Sequence, residues 1–224
     1  MTGPGAVKER VQSRTPDEAE WVSRFGLTER FAHWWTVLMV AVALGTGLAL
    51  GDDEAESGPL LTVHWGAVVL LGTGLLAALV LGNTRALLRA AAQLFSVDRR
   101  DALWIRDHVR RPLGDRDRHE YGMFNPAQKG LAWALSAAVA VVIYTGIRAL
   151  SAGGDDAAGP HATAVVVAAV LLGAHVFMAV VNPSTNHALV GMVFGRVRRS
   201  WAARHHGGWL DDLEDRPDEA RRDR

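Results

Sequence analysis

Four stretches of this chain are each about 20 residues long and almost free of charge, the length of helix that crosses a hydrocarbon core. They occupy 31–50 (FAHWWTVLMVAVALGTGLAL), 60–82, 131–150 and 161–181, and the only Asp, Glu, Lys or Arg among them is Arg148, near the end of the third. A soluble helix of that length keeps a polar face. Here the apolar surface runs right round each helix, which is what a lipid-facing segment needs, because lipid offers the backbone no hydrogen bonds and leaves the helix to satisfy its own. GDDEAESGP joins the first stretch to the second and SAGGDDAAGP the third to the fourth. Both links are short and turn-forming, so the joined helices are antiparallel neighbours. The pattern predicts an all-α membrane protein, a four-helix up-down bundle made of two hairpins.

The averages of the 224 residues conceal this: 49% hydrophobic, 21% charged and a net charge of +0 read like a soluble domain. They do exclude a disordered chain, and the balanced charge argues against a nucleic-acid partner. Cys is absent, which removes disulfides, thiolate zinc sites, chain-ligated iron–sulfur clusters and thioether-attached haem. Residues 1–30 are polar and carry both signs of charge, unlike a secretory signal.

Lys and Arg set the expected orientation. Segment 1–30 holds five, 83–130 ten and 182–224 eight, whereas the two short links hold none and carry Asp52, Asp53, Glu54, Glu56, Asp155 and Asp156. Basic segments stay in the cytoplasm. The reading is therefore a cytoplasmic N-terminal segment (1–30), a membrane domain (31–182) with a cytoplasmic loop at 83–130, and a cytoplasmic C-terminal tail (183–224) in the inner membrane. Trp34, Trp35, Trp65 and Trp133 fit interfacial anchors. Within the loop, 85–95 (RALLRAAAQLF) either continues the second helix or lies along the surface as an amphipathic piece. The first 20 residues and the last dozen lack periodicity and are expected to be mobile.

Four of the nine His fall inside the spans: His33, His64, His161 and His175. An ionisable group at that depth is a functional candidate, although a single His near a span end is equally an interfacial residue. Their placement is more telling. His161 and His175 are 14 residues apart, about 21 Å along one helix and about 40° short of four full turns, so they share a face. With the helices alternating in direction, His33 comes level with His175 at the inner side and His64 with His161 at the outer side. Two facing imidazoles at one depth suit a metal macrocycle, and two such pairs suit two b-type haems closed on both faces, a route for electrons across the bilayer. Bare metal ions are disfavoured because no Asp or Glu lies in the spans. Gly45, Gly47, Gly72, Gly74, Gly146 and Gly173 give either room for porphyrins or ordinary close helix packing. Arg148 either pairs with a haem propionate at the outer side or snorkels to the headgroups. His108, His119, His187, His205 and His206 lie outside the spans, where surface or interfacial roles are expected.

The motifs ERFAHWWTVL, HWGAVV, FNPAQK, IYTG, HATAVVVAAVLLGAHVFMAVV and ALVGMVFGRVRRSWAARHHGGW resemble the cytochrome b (gamma) subunit of membrane-bound formate dehydrogenases over about Phe25 to Trp209. Related subunits of hydrogenases and thiosulfate reductases share the general design. The resemblance implies a chain that takes electrons from an outer iron–sulfur (beta) subunit, fed by a molybdenum- or tungsten-containing catalytic (alpha) subunit, and passes them through two haem b groups to a quinone. By the same resemblance His33 and His175 ligate the inner haem, His64 and His161 the outer one, and Asn125 and Gln128 of FNPAQK line the quinone pocket. The residues themselves allow another role for that stretch: Asn125 as helix N-cap, Pro126 at the first helical position and Gln128 closing a capping box. The sequence departs from the family at Phe124, where Tyr is usual, at Pro126, and in its short outer loops, which alter the docking surface expected for the beta subunit. A haem-free anchor or transporter is the remaining alternative, against which stand the unbroken spans and the lack of buried acidic relays.

Overall fold

A computed structural model describes residues 20–50, 58–110, 121–152, 155–182 and 185–215. Parts of both short links, the 111–120 portion of the long loop with His119, and most of the terminal residues expected to be mobile lie outside these. Four long helices dominate: α1 (Leu27–Leu50), α2 (Gly58–Leu81), α5 (Pro126–Ala152) and α6 (Asp155–Val176). Shorter helices α3 (Thr84–Phe95) and α4 (Arg99–Arg110) fill the long loop, and α7 (His187–Phe194), α8 (Arg199–His205) and α9 (Gly207–Asp215) form the tail. The all-α expectation holds, with one small addition: strand β1 (Trp21–Ser23) pairs antiparallel with β2 (Arg196–Arg198), Val22 opposite Val197. The segments 27–50, 58–81, 126–151 and 159–181 are each long and apolar enough to cross a membrane. The last extends α6 through a π-helical turn, Phe177–Val181, closed by Asn182 N–H on Phe177 O at 3.1 Å.

Local chemistry explains where these helices start and stop. After α2 the chain breaks at Gly82–Asn83: Asn83 caps α3 by accepting from Ala86 N–H (3.1 Å), while its own N–H donates to Thr28 Oγ1 (2.8 Å) on α1. So 85–95 does not continue α2; it is a separate helix pinned to the start of α1, and Phe95 reaches Trp133 of α5 edge-on at 5.3 Å. Helix α4 opens with a reciprocal box between Asp98 and Asp101 (2.9 and 3.0 Å), and α5 with another between Asn125 and Gln128 (3.0 and 2.9 Å). The two are tied together by the buried pair Lys129 Nζ–Asp101 Oδ2 at 2.8 Å. Burying two charges costs less when they neutralise each other and keep their hydrogen bonds, as these do.

Packing divides sharply along the bundle. Helix α1 packs along α2 and α5 along α6, whereas the helices of one hairpin approach those of the other only sparsely. Within the membrane-length parts of α1 and α2 only Ala32, Met39, Ala67 and Ala78 are buried. The facing surfaces of the two hairpins are therefore left apart. The closely packed core lies instead at the end of the bundle where α1 begins and α6 finishes, called the tail end here; the opposite end is the hairpin end. There Phe25, Met123, Val197, Trp201, Ala202, Trp209 and Leu210 join three distant pieces of chain. Gly195, with φ +78°, turns the chain from α7 into β2 and offers its carbonyl to Arg24 N–H (2.8 Å) and Phe25 N–H (3.2 Å); a side chain there would be strained.

Arg24 is the hub of this core. It is 6% exposed, donates from Nη2 to Met123 O at 2.6 Å, and lies 5.1 Å from the Trp201 ring and 5.5 Å from those of Phe25 and Trp209. Aromatic faces thus meet the guanidinium in the place a carboxylate commonly takes beside a buried cation. Burial pushes its pKa down to about 9, which still leaves it charged at neutral pH. Beside it His206 is only 2% exposed, with Nδ1 2.7 Å from Gly122 O. This corrects the surface role expected for His206: the ring is a structural element of the tail core, 5.1 Å from Trp201.

Burial, and then the Arg24 charge, push the His206 pKa down from 6.5 to about 3. The folded tail therefore holds His206 neutral where the unfolded chain protonates it. Stability from this group is complete above pH 6.5 and falls as the pH drops from 6.5 towards 3, by up to about 1.4 kcal/mol per pH unit. Hydrogen exchange over 187–215, with Trp fluorescence, should show the tail core loosening on acidification, and His206→Gln, which keeps a donor for Gly122 O, should flatten that dependence.

Candidate functional site

The structure brings the four span histidines together in the expected pairs. The rings of His33 and His175 are 6.2 Å apart between centroids, and those of His64 and His161 6.4 Å. His33 stands in the second turn of α1 and His175 near the end of α6, both at the tail end; His64 follows the start of α2 and His161 the start of α6, both at the hairpin end. Each pair reaches from one hairpin to the other across the surfaces that the helices do not pack.

The hairpin-end rings are held by their own helical partners. His64 Nδ1 is 2.9 Å from Ala43 O and 3.2 Å from Thr46 Oγ1 on α1. His161 Nδ1 is 3.1 Å from Val142 O and 3.2 Å from Thr145 Oγ1 on α5. A carbonyl only accepts, so Nδ1 carries the proton in both rings and Nε2 keeps its lone pair. The approach is close: a Cβ built on Gly47 would lie 3.2 Å from His64 Cε1, and one on Gly146 3.1 Å from His161 Cε1. Those two glycines make room for rings. Gly74 has the other use, since the Trp35 indole occupies the place of its side chain and donates from Nε1 to Leu70 O at 2.8 Å. Gly45, Gly72 and Gly173 have no described atom within 4 Å of such a Cβ.

The remaining expected residues are placed as follows. Asn125 and Gln128 form the capping box at the tail end of α5, each spending its amide oxygen on the other's backbone N–H. The cap leaves their NH₂ groups unused. Arg148 is exposed on α5, one turn beyond Thr145 towards the hairpin end. Thr46 and Thr145 are functional candidates that the sequence reading passed over. The available signal was a repeat: a Thr-Gly pair in the helix preceding each hairpin-end His, 18 and 16 residues before it.

The profile of a family described as prokaryotic cytochrome b561 matches residues 24–195. The chain belongs to that family. No curated protein matches it. As a cytochrome b561 it is a multi-pass membrane protein that binds b-type haem and transfers electrons.

The residues present fit such a group. Two metal–imidazole bonds of about 2 Å, plus about 1.1 Å from nitrogen to ring centre on each side, span about 6.2 Å, and the observed separations are 6.2 and 6.4 Å. Among the described residues no cluster of three or more His, Asp or Glu gathers that could hold a bare ion. Two facing imidazoles complete a coordination sphere only if a macrocycle supplies the rest. The Nδ1–H to carbonyl bonds are the outer-shell arrangement that fixes tautomer and ring orientation for metal-ligating histidines.

If the two glycines are there to admit the rings, Gly146→Val should displace His161 and lower the haem-to-protein ratio of the purified cytochrome. Gly45→Ala, about 200° round the helix from Gly47, should leave the ratio unchanged.

Proposed function

We propose that this cytochrome b561 is the di-haem membrane subunit of a formate dehydrogenase complex, delivering electrons from an outer iron–sulfur subunit to a quinone at the cytoplasmic side. One observation carries the di-haem part: two imidazole pairs, each at metal-bridging separation, at opposite ends of one bundle. In this reading His33 and His175 hold the tail-end haem and His64 and His161 the hairpin-end haem. A haem held between two imidazoles supplies one-electron transfer with no open position for O₂. The formate dehydrogenase part rests on the sequence motifs, chiefly the His pair 14 residues apart and RRSWAARHHGGW. The basic segments 1–30, 83–130 and 182–224 favour a cytoplasmic tail end with the acidic links outside. The iron–sulfur subunit, with its molybdenum- or tungsten-containing partner, then docks at the hairpin end.

The chain's own residues would act at both ends. At the tail end Asn125 and Gln128 keep their amide donors after capping α5, and these would orient a quinone carbonyl close to cytoplasmic water. Lys129, next in sequence, is committed to Asp101 and holds α4 against the start of α5. At the hairpin end the exposed Arg148 would pair with a propionate.

The direct test is a reduced-minus-oxidised spectrum with haem stoichiometry on the purified complex. Two b-type haems per chain are expected, and a ratio near one removes one pair. His175→Ala should lose the tail-end haem and quinone reduction while keeping the other haem. Converting Asn125 and Gln128 together to Ala should slow quinone turnover with both haems retained, and lower stability by about 1–2 kcal/mol through the lost cap. The co-purifying catalytic subunit decides the donor: a hydrogenase or a thiosulfate-type reductase in place of a formate dehydrogenase would reassign the complex and leave the haem reading intact.

A further inference from the structure

The hairpin-end imidazoles carry a hydrogen-bonding shell that, among the described residues, the tail-end imidazoles lack, and its two halves are copies of one another. In α1, Thr46 donates its hydroxyl proton to Val42 O at 2.7 Å, which turns an oxygen lone pair towards His64 Nδ1 at 3.2 Å, beside Ala43 O at 2.9 Å. In α5, Thr145 donates to Val141 O at 2.8 Å and faces His161 Nδ1 at 3.2 Å, beside Val142 O at 3.1 Å. The register is the same in both: an accepting carbonyl, the Thr three residues on, then a Gly on which the ring lies. Each Nδ1–H is thereby shared between two acceptors. Among the described residues no carbonyl or hydroxyl accepts from His33 or His175, whose ring contacts are with each other and with Trp34.

An imidazole whose distal N–H is held by an acceptor becomes a more basic ligand through its other nitrogen. A stronger donor stabilises the oxidised metal more than the reduced one. We infer that Thr46 and Thr145, paired with the carbonyls of Ala43 and Val142, act as positioning residues that make His64 and His161 the stronger axial donors and set the hairpin-end haem at a lower reduction potential than the tail-end haem. This rests on the haem reading above. With haem bound at both pairs, one electron would pass from the hairpin-end to the tail-end group, the first oxidised as the second is reduced, while His64 and His161 keep their Nδ1 protons. Electron flow from the hairpin end to the tail end is then downhill, so the fold itself carries a preferred direction.

The test is a redox titration of the purified full-length protein, followed in the visible spectrum and by low-spin EPR. The His175→Ala variant supplies the signature of the hairpin-end haem alone. In the wild type the lower potential must belong to that haem; the opposite order, or equal potentials, overturns the inference. Thr46→Val and Thr145→Val should each retain two haems and raise only the hairpin-end potential. A shift of about three- to tenfold in its reduction equilibrium is expected, tenfold being about 59 mV for one electron. Thr46→Ser and Thr145→Ser, which keep the hydroxyl, should stay at the wild-type value. Variants with both haems bound and neither potential moved, or with the tail-end haem moved instead, also overturn it. If the Val variants shed haem, the wild-type order of potentials and the Ser variants still decide. Wild-type protein with fewer than two haems counts against the proposed function and not against this inference.

Discussion

The architecture turns on two pairs of imidazoles facing each other across a gap that the helices do not fill. Each hairpin is packed within itself, but between the hairpins the helices barely approach, and α1 and α2 together bury only four small or flexible side chains. In water such a bundle would lack a core. In lipid the outward-facing Leu and Val residues are already in an apolar medium, so association has to come from specific contacts between the helices. The His pairs are where the two halves meet, at metal-bridging separation. In the di-haem reading proposed above a shared prosthetic group would bridge the hairpins within the spans, and the glycines beneath the rings and the carbonyls behind them would serve that bridge.

Much of this was legible in the sequence because lipid imposes a one-dimensional rule. An uncharged run of sufficient length has few alternatives to a spanning helix, and alternation of direction then fixes the level of every residue along it. The pairing of His33 with His175 and of His64 with His161 needed nothing more than residue counting. The capping box of Asn125 and Gln128 was legible for a similar reason, since it is a local pattern closed within one helical turn.

What escaped was three-dimensional in origin. Thr46 and Thr145 look like ordinary small residues of a span; their meaning depends on which ring lies opposite on the next helix. The break after α2 is set by a bond from Asn83 to Thr28, 55 positions earlier. His206 read as a surface residue because it sits in a polar, basic run, yet the folded tail wraps it with Trp201, Arg24 and Gly122. Hydropathy describes the residue and its neighbours in the chain, and such a site is built from segments about 80 to 180 residues apart.

The tail core also bears on how the protein is made. Arg24 and Phe25 precede α1, Met123 precedes α5, and Trp201 and Trp209 follow α6. These three pieces meet on one side only when every helix that crosses is followed by one that returns. A chain in which one helix of a hairpin fails to cross leaves these pieces on opposite sides and cannot close the aromatic shell around Arg24. Closing that shell is thus available only after the last helix is in place, because Trp201 and Trp209 follow α6, and until then the Arg24 cation is left without its aromatic cage.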